Sequence, residues 1–111
     1  GINALNLKFH FDEETAIVGI DLETSNMDVR IALYDKLETL KNQINKALGE
    51  NTIWELDYIR ENQKHISRIY TSISNVSIFD KDSWNRVNMF FFDRMTALED
   101  MYLEYKDYLK Y

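Results

Sequence analysis

The 111-residue chain contains no cysteine and no proline, and its only glycines are Gly1, Gly19 and Gly49. Without cysteine there is no disulfide, no thiol nucleophile and no thiolate metal site, a composition suited to a reducing cytoplasm. Three scattered glycines leave no Gly-rich phosphate loop and no dinucleotide fingerprint. Proline punctuates loops, so its absence points to regular elements joined through short turns. Basic residues are scarce too: 13 Lys and Arg against 19 Asp and Glu give a net charge of −6. Neutralising phosphates takes a surplus of Lys and Arg, which argues against a general nucleic-acid binder. No apolar run approaches the roughly 20 residues of a membrane span, and none reads as a signal peptide. What is present is a globular balance, 45% hydrophobic and 29% charged. The length suits one compact domain that can hold a core without metal or disulfide. Because the chain begins at Gly1 and not Met, we expect a single domain over residues 1–111 lacking a native amino-terminal element.

Periodicity supplies the elements. Leu5, Leu7, Phe9 and Phe11 alternate with Asn6, Lys8 and His10, the period of a half-buried strand. After the polar break Asp12–Thr15, alternation resumes with Ala16, Val18, Ile20 and Leu22 inward and Ile17, Gly19, Asp21 and Glu23 outward. Two alternating runs around a short polar turn predict an antiparallel hairpin. Ser25 then offers a helix cap, with Asp28 placed for the capping box. Val29, Leu33, Leu37, Leu40, Ile44 and Leu48 recur every three or four residues, which predicts one long helix ended by Gly49.

A second strand pair follows. Thr52–Ile59 alternates Trp54, Leu56 and Tyr58 with Ile53, Glu55 and Asp57, and Ile66–Ile73 is rich in β-branched and aromatic residues. Between them Arg60–His65 is a polar connection of hairpin length. Val76–Phe79 either extends the returning strand past Ser74-Asn75 or forms a short edge segment. From the caps at Asp80–Ser83 a last helix runs with Trp84, Val87, Phe91, Leu98, Tyr102, Tyr105 and Leu109 on one face. Phe90, Ala97, Met101 and Tyr108 widen that face. The expected fold is α+β: a mainly antiparallel four-stranded sheet with two long helices on one face, in the order β-β-α-β-β-α.

Candidates for chemistry are few. Asp21 and Glu23 share the outward face of the second strand near His10, a set able to hold a divalent cation or move a proton. A solvated sheet face is the simpler account of the same residues. Asp57 with Glu61–Lys64 has the wrong spacing for a metal-dependent nuclease, and His10 and His65 are too far apart in sequence to suggest zinc. No serine sits in a nucleophile elbow. We therefore expect no catalytic residues, no metal and no cofactor. Two Trp, seven Tyr and six Phe could form a stacking surface, yet most fall on core positions. The exceptions define the candidate binding face: Ile17, Ile53, Ile66, Arg68 and Tyr70, together with Asp21 and Glu23, on the outer surface of the sheet. That mixture is apolar enough to suggest a covered surface.

Three stretches also carry a resemblance. Ala16–Glu23, Ile66–Tyr70 and Asn75–Trp84, followed by Phe90-Phe91-Phe92 and Met95, resemble a bacterial family known as domain of unknown function family 4268, over about Leu5 to Tyr105. The resemblance implies a bacterial cytoplasmic protein with no catalytic residues to carry over. It also implies kinship with small stand-alone proteins, or with tails of larger proteins that carry restriction-endonuclease-like domains. Stand-alone members usually place an aromatic-rich helical segment ahead of the first strand. The expected function is a non-enzymatic interaction or accessory domain working through its open sheet face, toward a protein partner or a second copy. In a two-fold contact Arg68 would meet Asp21 or Glu23 of the other chain. The alternative is a nuclease-associated domain that assists DNA recognition or cleavage by a partner.

Overall fold

The first hairpin is closed by one side chain. Asp12 Oδ1 accepts the backbone N–H groups of Glu14 and Thr15, both at 2.9 Å, so the polar break becomes a turn. It joins β1 (Leu5–Phe11) to β2 (Thr15–Leu22), with Val18 opposite Phe9 and Ile20 opposite Leu7. The computed structural model describes residues 4–110. Its further elements are α1 (Met27–Glu38), α2 (Lys41–Leu48), β3 (Ile53–Ile59), β4 (His65–Ser74) and α3 (Lys81–Lys110). The four strands form one antiparallel sheet in the spatial order β1-β2-β4-β3, so β1 and β3 are its edges.

Alternation decides which face is covered. Val18, Ile20 and Leu22 of β2 and Ile69 of β4 point inward and are buried with Leu33 and Leu37 of α1, Ile44 and Leu48 of α2, and Leu98 and Met101 of α3. Leu40 belongs to the same core, and Leu7 and Phe91 pack against it. A smaller cluster of Ala16, Val76 and Val87 continues it beneath Phe11 and Phe90. All three helices thus serve one face of the sheet, an α+β architecture.

Three local expectations need correction. The helix predicted from Asp28 to Leu48 is broken, and the element order is β-β-α-α-β-β-α with only α3 long. Thr39 Oγ1 donates to the Lys36 carbonyl at 2.6 Å, and the Leu40 N–H turns back to Leu37 O at 2.9 Å. Such tight i→i−3 bonds end α1. Leu40 then restarts the helix as the residue before α2. The cap of α1 is Asn26, whose Oδ1 accepts the Val29 N–H at 3.1 Å, and not Ser25. Val76–Phe79 is not strand. Its Val76 and Ile78 N–H groups bond to Glu14 and Asp12 carbonyls of the first turn.

Candidate functional site

Among the described residues the outer face of the sheet carries no helix, and strand parity sets its contents. β1 contributes Asn6, Lys8 and His10, β2 contributes Ile17, Gly19 and Asp21, and β4 contributes Ile66, Arg68 and Tyr70. β3 changes parity midway. Glu55 lies opposite Arg68 but Tyr58 lies opposite Ile66, so a bulge sits between them. The buried Arg30 of α1 holds that bulge by donating to the Leu56 carbonyl at 3.1 Å, and Ser67 Oγ donates to the same oxygen. The extra residue turns Tyr58 to the outer face, opposite to where strict alternation places it.

These rows interlock. Arg68 donates to Asp21 through Nε at 2.8 Å and Nη2 at 2.9 Å, a two-pronged pair. Asp21 is only 2% exposed. The hydrogen bond to Asp21 raises the Arg68 pKa above its already high ordinary value. The Tyr58 ring lies 4.2 Å from the guanidinium carbon, and Tyr70 meets Tyr58 edge-on at 6.1 Å. Tyr70 Oη donates to Glu55 Oε1 at 2.8 Å. Burial first, then that bond, pushes the Tyr70 phenol up to about 12. Glu23 receives Arg60 at 3.0 Å and Lys8 at 3.5 Å. At Gly19 a Cβ would strike the Ile69 carbonyl and stand 2.7 Å from Tyr70 Cβ, so only glycine lets β2 and β4 approach there.

Above this floor lies an open groove of about 530 Å³ whose walls include Lys8, His10, Ile17, Tyr58, Arg60 and Tyr70. The residues expected on an exposed apolar face meet different fates. Ile17 is half-buried in the groove, Tyr70 is held by Glu55, and Ile53 is exposed at the edge strand opposite Tyr70. Ile66 is fully buried in its own chain, because the bulge brings Tyr58 opposite it. Arg68 and Asp21 satisfy each other within the chain, and Glu23 is taken by Arg60 and Lys8. The acids expected to meet Arg68 of a second copy, Asp21 and Glu23, are both engaged within the chain. His10 lies opposite Ile17, not Asp21, and bonds Asp12 at 3.2 Å. The carboxylate–imidazole set does not assemble, and among the described residues no group of three His, Asp or Glu could hold a metal ion.

Tyr58, Glu55 and Arg60 are the members that sequence reasoning missed. Glu55 had a signal, since it shares the row of Ile53. Tyr58 had none, because the bulge depends on Arg30 from a distant helix. Among the described residues, no helix is long and apolar enough to cross a membrane. No curated protein and no solved structure matches the chain. The sequence model of one family, the domain of unknown function DUF4268, matches residues 1–106. The chain belongs to that family across nearly its whole length.

Proposed function

We propose that the chain is a non-enzymatic binding domain that recognises a protein partner through the outer face of its sheet. The observation that carries this reading is the groove itself. One face of the sheet packs under the helices, while the other presents a concavity of about 530 Å³ walled by tyrosines and charged side chains. Tyrosine supplies a large, stiff contact area with a polar tip, which suits recognition of polypeptide. Most of the groove's charges are met within the chain, Arg68 by Asp21 and both Arg60 and Lys8 by Glu23. A bacterial cytoplasmic setting belongs to the same reading.

A displayed peptide library selected against the wild-type chain tests it. Binders should lose roughly tenfold or more affinity on Ile17→Glu, which places a charge in the groove without touching the Asp21–Arg68 pair. Binders indifferent to Ile17→Glu would overturn the proposal. So would tight, salt-sensitive binding of duplex DNA that Lys8→Ala abolishes, which would instead favour a nuclease-associated role.

A further inference from the structure

A second surface lies on β1, at the edge of the sheet. The backbone bonds from Glu23 N–H to Ala4 O and from Asp12 N–H to Thr15 O fix the pairing phase of the first hairpin. In an antiparallel ladder this phase turns the N–H and C=O groups of even-numbered β1 residues toward β2. Those of Leu5, Leu7, Phe9 and Phe11 point to the sheet edge, where no other strand pairs with them among the described residues. The edge is seven residues long, with no proline and no bulge, and Lys8 is its one lysine. Protective devices are thus nearly absent from it.

The flank of this edge is aromatic. Phe9 is 63% exposed although its ring lies 5.0 Å from Phe91 of α3. α2 lies to the other side of Phe91, where the Arg94 guanidinium ends 3.6 Å from the position of a Gly49 Cβ. One residue beyond Phe91, and about 100° further round from α2 at 3.6 residues per turn, Phe92 is 71% exposed. The unpaired backbone and the exposed Phe9 ring therefore adjoin on β1, and Phe92 lies on the flank of α3 turned away from α2.

We propose that β1 is a dimerisation edge that pairs antiparallel with β1 of a second copy, joining two sheets into one of eight strands. The partner is a second copy because a two-fold axis at Leu7 satisfies both chains at once. Leu7 then meets Leu7 and Phe9 meets Leu5, giving about six new backbone bonds. That register sets Lys8 opposite Asn6, whereas an axis at Lys8 would oppose two lysines. At 150–250 Å² per ring, the exposed parts of Phe9 and Phe92 on two copies supply about 500 Å². A small stable interface needs about 1,200 Å², and the paired edges add to the rings. Like net charges of −6 repel, so association strengthens with added salt.

Sedimentation equilibrium up to about 1 mM protein tests the pairing at the strength expected of such an interface. The wild type should dimerise, and Phe9→Lys, at an exposed position, should weaken the dimer roughly tenfold or more. Hydrogen exchange should show the Leu7 and Phe9 amides gaining protection with concentration while the Lys8 amide, bonded to β2, does not change. A chain that stays monomeric, a dimer indifferent to Phe9→Lys, or Leu7 and Phe9 amides that exchange freely in the dimer would each overturn the proposal. A dimer abolished by Ile17→Glu but not by Phe9→Lys would assign self-association to the groove instead.

Discussion

Removing Arg68 tests how the outer face is built. In Arg68→Met the Asp21 carboxylate, 2% exposed, loses both of its charge-assisted bonds at 2.8 and 2.9 Å. The Tyr58 ring loses the cation stacked on it. A buried ion left without its partner costs about 3–5 kcal/mol, whereas replacing both partners by apolar groups is often neutral. The Arg68 side chain is itself 17% exposed, which places the expected loss at the lower end, about 3 kcal/mol. At a urea slope of about 1.5 kcal/mol per M, the midpoint should fall by roughly 2 M. The double variant Asp21→Leu, Arg68→Met should recover most of that loss, so the cycle shows a large coupling between the two sites. The stacked methionine keeps much of the arginine stem's packing, which leaves charge as the main change. A single Arg68→Met loss below about 1 kcal/mol, or a double variant no more stable than the single, would refute the reasoning.

Three further outcomes follow from the same geometry. Gly19→Ala should destabilise by about 1–3 kcal/mol in thermal unfolding, because its Cβ meets the β4 backbone; an unchanged midpoint would contradict the close approach. Tyr70 should ionise near 12 in an ultraviolet titration. Its folded pKa is raised, so its share of stability is complete below the ordinary value of 10 and disappears as pH rises toward 12, a loss that Tyr70→Phe should remove. Asp12 should titrate by carboxyl NMR near 2, held down by the Glu14 and Thr15 amides. Its folded pKa is depressed, so its contribution is present above 3.8 and fades as pH falls toward 2, and Asp12→Ala should flatten stability across that window.

The hairpins were legible because one face of the sheet is apolar and packs under the helices, while the other carries mostly polar and charged side chains. Burial of Ala16, Val18, Ile20 and Leu22 against the helices forces a period of two that no helix shows. The break between α1 and α2 left no such trace. Leu37, Leu40, Ile44 and Leu48 keep their helical spacing straight through it, since all four still bury in the same core. A hydrophobic stripe records which side is wet, and both pieces of the helix keep the same dry side. The bend comes from a hydroxyl, Thr39, competing for the Lys36 carbonyl, and a single threonine has no pattern to read.

Cross-strand chemistry hides for a different reason. Asp21 and Glu23 look like solvent-facing acids in sequence, because outward parity normally means water. Their partners lie 47 and 37 residues away, at Arg68 and Arg60, and only the β2–β4 register and the β3–β4 turn bring them together. The consequence bears on function. Once Asp21, Glu23 and Glu55 offset Lys8, Arg60 and Arg68, the charges of this face largely cancel, while the −6 of the whole chain falls mainly on other surfaces. A partner approaching the groove meets tyrosine rings and balanced dipoles on a protein that repels polyanions elsewhere. That contrast favours a polypeptide with few charges over a phosphate backbone, and it makes Ile17 and Tyr58 the contacts on which affinity should depend most.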